Sequence, residues 1–119
     1  MKIENKRVVV TGAASGIGKA LCEEFYASGA KSIVCVDMNI EGAKETADSV
    51  NGLAVSADVS NEKDIINVIE KANDYSGGID IFCSNAGIGG KPGFFEAAPS
   101  DWEMIWGVNV QSHIHAAKH

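Results

Sequence analysis

The sequence predicts an α/β fold in which parallel strands are connected by crossover helices. Short apolar segments rich in β-branched residues alternate along the chain with segments whose apolar residues recur about every 3.6 positions. A glycine-rich turn directly follows the first apolar segment, and an aspartate closes the second. Because strands that alternate with helices form βαβ units, we expect a doubly wound parallel sheet with helices on its faces.

Size and composition indicate one ordinary globular domain. The chain has 119 residues, of which 45% are hydrophobic and 22% charged. A net charge of −6 would repel both a nucleic-acid backbone and an anionic membrane, so neither is expected as the main partner. No apolar stretch approaches about 18 residues, and the polar amino end lacks the apolar core of a signal peptide, so we expect a cytoplasmic protein.

Four strands and three connecting helices follow from the apolar pattern. The strands are expected at Val8–Val10, Ser32–Val36, Leu53–Ala57 and Ile79–Cys83. The helices are marked by Ile17, Leu21 and Phe25 at four-residue steps, by a polar segment from about Ile40 to Val50, and by a stripe of Ile65, Val68, Ile69 and Ala72 behind a Ser60 N-cap. The polar second helix is expected on the outside of the sheet. Left-handed C-terminal residues are expected at Gly29, Gly52 and Gly77.

A last helix begins where Ser100 and Glu103 form a capping-box pattern after Pro99, and it runs to the end of the chain. Its apolar residues spread around more than one face, so a single packing surface would leave some exposed; they are Trp102, Ile105, Trp106, Val108, Val110 and Ile114. Before this helix, residues 87–93 predict a mobile loop at the ligand edge of the sheet.

The cysteines and histidines indicate no metal site. Cys22, Cys35 and Cys83 are dispersed within apolar segments and are expected to be small buried hydrophobes. Three histidines, His113, His115 and His119, lie late on the last helix. The last two have a spacing that could hold a metal, but no carboxylate or cysteine is placed to complete the set, so we expect solvated side chains.

The turn from Thr11 to Gly18 is suited to a dinucleotide pyrophosphate, because glycines let main-chain N–H groups and a helix N-terminus approach an anion. A triphosphate loop is disfavoured, since five residues separate Gly12 from Gly18 and Lys19 is followed by Ala20. A glycine-rich turn without a ligand is the alternative. The spacing Thr-Gly-x-x-x-Gly-x-Gly resembles the short-chain dehydrogenase/reductase family. We expect Gly12, Ser15, Gly16, Ile17 and Gly18 to seat the pyrophosphate.

Asp37 ends the second strand, where a carboxylate can accept hydrogen bonds from the adenosine ribose hydroxyls. NAD is therefore expected rather than NADP, because neither Ala13 nor the adjacent Met38 offers a positive charge for a 2′-phosphate. Met38, next to Asp37, is also expected to contact the cofactor. The alternative is that Asp37 only caps a turn.

Further site residues are implied by the family resemblance. In that family, a pair like Asp58-Val59 holds the adenine, although Asp58 could instead start the third helix. A segment like Asn85-Ala86-Gly87 borders the nicotinamide side, and the sequence departs from the family only mildly in having Ser84 before it. Asn109 resembles the helix asparagine that holds a water behind the catalytic lysine, with a buried structural amide as the equal alternative.

The resemblance implies a Rossmann-like sheet with strand order 3-2-1-4, in which residues 1–119 form a partial NAD-binding domain that stops before the fifth strand. The family's Tyr-x-x-x-Lys pair is not in this sequence: Tyr26 and Tyr75 are followed four places on by Ala30 and Ile79. We therefore expect these residues to be the N-terminal half of an oxidoreductase that moves hydride between NAD(H) and a secondary alcohol or ketone. Without the catalytic pair, this half is expected to be inactive on its own. Its unpaired apolar sheet edge is expected to make it a homo-oligomer. The alternatives are a non-catalytic dinucleotide-binding module and a nucleoside-triphosphate switch.

Overall fold

The computed structural model describes residues 1–90 and 95–119, which form alternating strands and helices as predicted. The elements are β1 (Arg7–Thr11), α1 (Gly16–Ala27), β2 (Ser32–Asp37), α2 (Ile40–Ser49), β3 (Leu53–Ser56), α3 (Glu62–Ser76), β4 (Ile81–Cys83), α4 (Pro99–Trp106), a π-helical turn (Gly107–Gln111) and α5 (Ser112–Lys118). The fourth strand is two residues shorter at its start than the apolar pattern predicted.

The four strands form one parallel sheet in the order β3-β2-β1-β4. Val8 in β1 pairs with Ile33 on one side and with Ile81 on the other. The predicted Rossmann-like fold and its strand order are confirmed. Because the strands are parallel, their carboxyl ends meet at one edge of the sheet, and the loops that follow β1, β2, β3 and β4 lie there together.

Alternate residues of each central strand contribute to two separate cores, because successive side chains point to opposite faces of a sheet. On one face Val8, Val10 and Ile33 pack with side chains of α1 and α2. On the other face Val9 and Val34 pack with Val68 and Ala72 of α3. Burial on both faces explains why β1 and β2 are continuous apolar runs rather than alternating ones.

The polar helix α2 packs directly on β2 and β3, and its buried face is made of small side chains. Ala43, Thr46 and Ala47 are at most 2% exposed, whereas the charged residues of the helix face outward. Small residues allow α2 to approach the sheet closely, which the hydrophobic period alone did not indicate. One of them, Thr46, carries a hydroxyl into the core.

Two of the three expected glycine C-terminal residues are left-handed. Gly29 has φ +80° and Gly77 has φ +78°. The third prediction was wrong, because the left-handed residue after α2 is Asn51, with φ +51°. Gly52 is required for another reason: a Cβ there would lie 2.5 Å from the carbonyl oxygen of Ile33.

Two helix starts also differ from the prediction. The N-cap of α3 is Asn61, whose side chain accepts a hydrogen bond from the N–H of Lys63, and not Ser60. Helix α4 begins at Pro99 with Ala98 as N-cap, and the carboxylate of Asp101 accepts from the Ala98 N–H at 3.0 Å. The expected Ser100–Glu103 box therefore lies two residues inside the helix. Asn61 is as suitable a cap as Ser60, whereas Ala98 has no capping side chain and the carboxylate of Asp101 supplies the hydrogen bond at the start of α4.

The cysteines are free thiols, as expected. Cys22 on α1 and Cys35 on β2 are fully buried with their sulfur atoms 3.6 Å apart, while Cys83 on the edge strand is half-buried. The hydrogen bond with Cys35 and burial raise the pKa of the Cys22 thiol, and burial raises that of Cys83. The same hydrogen bond lowers the pKa of Cys35. Cys22 and Cys35 are therefore small core side chains, as expected, whereas Cys83 is only partly buried.

The second edge of β4 has no strand beside it among residues 1–90 and 95–119. Along the last helical region Val108 is buried, whereas Trp106 and Ile114 are each 57% exposed. The predicted spread of apolar residues over more than one face is confirmed. No helix within the described ranges is long and apolar enough to cross a bilayer. Of the predicted 87–93 loop, residues 91–93 lie outside the described residues.

Candidate functional site: a cleft at the carboxyl edge of the sheet

A cleft of about 400 Å³ opens at the carboxyl ends of the strands. It is lined by residues that follow β1, β2, β3 and β4 and by one residue of the π-helical turn: Gly12, Ser15, Gly16, Ile17, Gly18, Asp37, Met38, Ala57, Val59, Asn85, Ala86, Gly87, Ile88 and Val108. Eleven of the twelve cofactor-binding residues expected from the sequence are in this set, and Asp58 is not. The sheet therefore gathers residues that are far apart in sequence around one crevice.

The glycine-rich turn needs glycine for two different reasons. Gly12 and Gly16 have φ +72° and +55°, a left-handed conformation that side chains disfavour. Gly18 lies against the turn itself, because a Cβ there would be 2.0 Å from the carbonyl oxygen of Gly12. Around Gly16, by contrast, no atom lies within 4 Å of the Cβ position, so the turn borders open space on that side.

Thr11 and Asn85 join the ends of β1 and β4. The Thr11 hydroxyl accepts hydrogen bonds from the N–H groups of Asn85 and Ala86 at 3.0 and 3.1 Å. The Asn85 amide donates to the Thr11 carbonyl at 2.9 Å. The same amide nitrogen is within 3.0 Å of the Cβ positions of Gly12 and Gly18, so those two glycines make room for it.

The first turn of α1 faces the cleft without a side-chain cap. Ser15 is the N-cap residue, with φ −160° and ψ 174°, and its hydroxyl makes no capping hydrogen bond. The first N–H groups of a helix have no partner within the helix, and together they carry a partial positive charge. An anion placed against Gly16 and Ile17 would satisfy them.

Asp37 lies at the end of β2 with its carboxylate held by two backbone N–H groups. One oxygen accepts from Ala14 at 3.0 Å and the other from Asn39 at 2.9 Å. The second bond is the turn-capping role that the sequence left open, and the first ties Asp37 to the glycine-rich turn. An ionised carboxylate has about four acceptor positions, so capacity remains for two hydroxyl donors in the cleft. Met38 is 67% exposed at the cleft rim.

The residues after β3 divide between the cleft and the start of α3. Val59 is buried and lines the cleft together with Ala57. One carboxylate oxygen of Asp58 instead accepts from the N–H and the hydroxyl of Ser60, at 2.9 and 2.7 Å. That carboxylate oxygen therefore has the helix-starting role expected for Asp58, a role that is compatible with a contact to the adenine.

Asn109 connects the π-helical turn to the segment after β4. Its side-chain oxygen accepts from the N–H of Ile88, and its side-chain nitrogen donates to the carbonyl of the same residue, both at 2.9 Å. A π-helical turn is often found at functional sites, since it displaces a helix by one residue. Gly107 begins this turn. Its Cβ position is 3.0 Å from the Cβ of Ser60.

Within residues 1–90 and 95–119, no cluster of three or more potential metal ligands occurs. His113 and His119 are exposed and His115 is half-buried. Contrary to the expectation of purely solvated side chains, His119 lies 2.9 Å and His115 3.9 Å from the carboxylate of Glu62. Lys118 is 2.7 Å from the same oxygen, so Glu62 of α3 forms an ion pair with Lys118 and lies close to two histidines of the last helical region.

A family model described as short chain dehydrogenase matches residues 6–119. The chain belongs to the short-chain dehydrogenase family. This match covers the glycine-rich turn, Asp37 and the Asn85–Gly87 segment, which were the motifs on which the resemblance rested.

Named relatives within the family are similar over nearly the whole chain. An uncharacterized oxidoreductase, YuxG of Bacillus subtilis (strain 168), is 37% identical over 110 residues, which are 87% of this chain and 16% of that protein. A 3-ketoacyl-(acyl-carrier-protein) reductase from Brucella melitensis, solved with NADH, is 37% identical with a TM-score of 0.93 and covers 98% of this chain. A short chain dehydrogenase/reductase from Burkholderia phymatum, solved with NAD, is 28% identical with a TM-score of 0.94 and covers 99% of it.

The chain spans 49% and 43% of those two solved proteins, and less than half of the curated relatives it matches. The short-chain dehydrogenase fold is therefore present here as one portion, the part that contains the four strands and the cleft.

Several residues of the cleft were not expected from the sequence. Ala57, Ile88 and Val108 line it, and Thr11 and Thr46 hold the segments that form it. For Thr11 the available signal was a hydroxyl at the end of a buried strand, next to the glycine turn. For Thr46 it was a polar residue on the face of α2 that also carries Ala43 and Ala47.

Proposed function

We propose that the cleft binds an adenine dinucleotide, NAD(H), as the cofactor portion of a short-chain dehydrogenase. The observation that carries this proposal is that one crevice combines an uncapped helix N-terminus, open space beside Gly16, and the carboxylate of Asp37. An anion, a flexible linker and a pair of hydroxyls are the groups that such a crevice can accommodate. The solved relatives with NADH and NAD support the same assignment.

Each part of the cofactor has residues suited to it. Gly12, Ser15, Gly16, Ile17 and Gly18 would hold the pyrophosphate through main-chain N–H groups. Asp37, with Met38 beside it, would hold the adenosine ribose. Val59, and Asp58 through its neighbouring backbone, would border the adenine. Asn85, Ala86 and Gly87 would border the nicotinamide side, with Asn109 fixing that segment through Ile88.

The bound cofactor would supply hydride chemistry, with a secondary alcohol or ketone as the other reactant. The groups that would exchange the alcohol proton are proposed to lie outside this chain, because Tyr26 and Tyr75 are not among the residues that line the cleft and both instead bond to Asn51. General acid–base help is worth roughly 10² to 10⁴ in rate. We therefore expect no NAD reduction by these 119 residues with simple secondary alcohols, and detectable turnover would contradict this part of the proposal.

The preference of the chain for NADH over NADPH is the direct test of this proposal. Titration calorimetry of the chain with NADH, NADPH and ADP-ribose should show binding of NADH and ADP-ribose in preference to NADPH. In Asp37→Asn the NADH affinity should fall roughly tenfold, the equivalent of one hydrogen bond to a charged group, and the preference against NADPH should shrink. Asp48→Asn is the matched control, since Asp48 is an exposed acid of α2 outside the cleft.

Two results would overturn the assignment. Absence of NADH binding to the folded wild-type chain would remove the cofactor site. An unchanged preference between NADH and NADPH in Asp37→Asn would remove the proposed role of that carboxylate, even if NADH binds.

A non-catalytic dinucleotide-binding module is the second candidate, favoured by a cleft that residues following all four strands line within this chain. High NADH affinity in the isolated chain would support it over a portion of an enzyme. We also propose a cytoplasmic homo-oligomer that associates through β4 and the surface around Trp106 and Ile114. Light scattering that shows a monomer at micromolar concentration would refute the association.

A further inference from the structure

We propose that Thr46, which does not line the cleft, is a positioning residue for it. Its hydroxyl holds the peptide group between Ala13 and Ala14, and through that peptide it sets the carboxylate of Asp37. This inference rests on the proposed function, because the carboxylate matters for the adenosine ribose.

The Thr46 hydroxyl donates into the glycine-rich turn from within the core. Its oxygen lies 2.9 Å from the carbonyl oxygen of Ala13 and 3.2 Å from that of Gly42 in its own helix. Thr46 and Ala13 are both fully buried. Because water does not reach this point, the hydroxyl is the group that satisfies the Ala13 carbonyl, and its loss would leave that carbonyl unpaired.

The other end of the same peptide group is bonded to Asp37. The N–H of Ala14 donates to one carboxylate oxygen at 3.0 Å. In a trans peptide the C=O and N–H point in opposite directions within one rigid plane, and no cis peptide occurs among the described residues. The plane is therefore fixed at both ends, by α2 through Thr46 and by β2 through Asp37. Rotating it would break both bonds together.

The close approach of α2 supports this arrangement. At Gly42, one turn before Thr46, a Cβ would lie 2.8 Å from the Cβ of Ala14, so only glycine allows the helix to reach the turn. The second oxygen of Asp37 accepts from Asn39, whose own side chain caps α2 by accepting from Gly42. The start of α2, the end of β2 and the glycine-rich turn thus form one hydrogen-bonded unit.

The expected effect is specific to the adenosine half of the cofactor. Without the hydroxyl the Ala13–Ala14 peptide can rotate, and the Asp37 carboxylate then loses one of its two fixed N–H partners. We expect Thr46→Val to lower the affinity for NADH and ADP-ribose about tenfold, the equivalent of one such bond. Thr46→Ser keeps the hydroxyl and should retain wild-type affinity.

The matched control is Ser49→Ala. The Ser49 hydroxyl also bonds to a carbonyl of α2, that of Thr46 at 2.7 Å, but Ser49 is on the exposed face of the helix. Its loss should change stability and leave the NADH affinity unchanged. An equal loss of affinity in Ser49→Ala and Thr46→Val would show a general effect of helix stability and would overturn the proposal.

A double-mutant cycle tests whether Thr46 acts through Asp37. If it does, adding Thr46→Val to Asp37→Asn should cause little further loss of NADH affinity. An equally large loss in both backgrounds would overturn the proposal. So would an unchanged affinity in a folded Thr46→Val chain.

Hydrogen exchange of the Ala14 amide separates this proposal from the proposed function, because it needs no cofactor. The amide should be protected in the wild-type chain and in Thr46→Ser, and it should exchange about tenfold faster in Thr46→Val. If NADH does not bind at all, this exchange still tests the fixed peptide. If Thr46→Val does not fold, an unprotected Ala14 amide in the wild-type chain overturns the proposal by itself.

Discussion

Replacing Gly18 with alanine should displace the glycine-rich turn that lines one side of the cleft. The new methyl carbon would lie 2.0 Å from the carbonyl oxygen of Gly12 and 2.9 Å from the side-chain nitrogen of Asn85. Real Cβ contacts are essentially never shorter than 3.0 Å, so the turn must withdraw by about 1 Å from the helix. The obstacle is backbone, which cannot rotate aside as a flexible side chain can.

Two magnitudes follow from that displacement. Forcing one methyl group into a packed site costs about 1–3 kcal/mol in the free energy of unfolding. A misplacement of about 1 Å in a binding constellation costs roughly 100-fold in its function. We therefore expect Gly18→Ala to remain folded while its NADH affinity falls by about that factor, as measured by urea denaturation and titration calorimetry.

Gly77→Ala is the control for this experiment. Gly77 has φ +78° and no atom lies within 4 Å of its Cβ position, so its cost is conformational only, about 1 kcal/mol, without an effect on the cleft. The reasoning is refuted if Gly18→Ala binds NADH with wild-type affinity, or if Gly77→Ala weakens binding as much as Gly18→Ala does.

The remaining predictions concern groups that hold the cleft and the end of the chain. Thr11→Val, which leaves the Ala86 N–H without its hydroxyl acceptor, should lower the free energy of unfolding by about 1–3 kcal/mol, whereas Thr11→Ser should not. Asn109→Leu should speed hydrogen exchange of the Ile88 amide about fivefold, the value of one hydrogen bond; unchanged exchange would contradict the link. Bonding to Lys118 and His119 lowers the pKa of Glu62 from 4.5 to about 2, so its stabilisation should be complete above pH 4.5 and be lost as the pH falls toward 2. The urea midpoint of Glu62→Gln should therefore fall less steeply below pH 4.5 than that of the wild type. An equal dependence of the midpoint on pH would exclude the contribution of Glu62.

The path of the chain through the sheet could be predicted because its signals are local. The run Val8–Val10, the glycines up to Gly18 and the acid at the end of β2 each identify an element without knowledge of its neighbours. Parallel strands then bring their carboxyl ends to one edge, which gathered the predicted cleft residues.

The details that could not be predicted from the sequence depend on contacts between segments that are far apart in the chain. Asn61 rather than Ser60 caps α3, while the Ser60 hydroxyl donates to the carboxylate of Asp58. In the sequence, Thr46 is one polar residue among others in a polar helix. Only the fold shows that it contacts the glycine-rich turn, 33 positions earlier in the chain. Hydrophobic periodicity ranks residues by burial and cannot indicate which buried hydroxyl meets which carbonyl.

The position of β1 inside the sheet has a consequence for the order of folding. Its partner on one side, β2, follows after one helix, but Val8 meets Ile81 on the other side only after more than half of the chain has been synthesised. Closing so long a loop is entropically slow, whereas β1, α1, β2, α2 and β3 can assemble from near neighbours. During translation the nascent chain therefore carries an unpaired inner strand until β4 arrives, and until then the crevice lacks its Asn85 side.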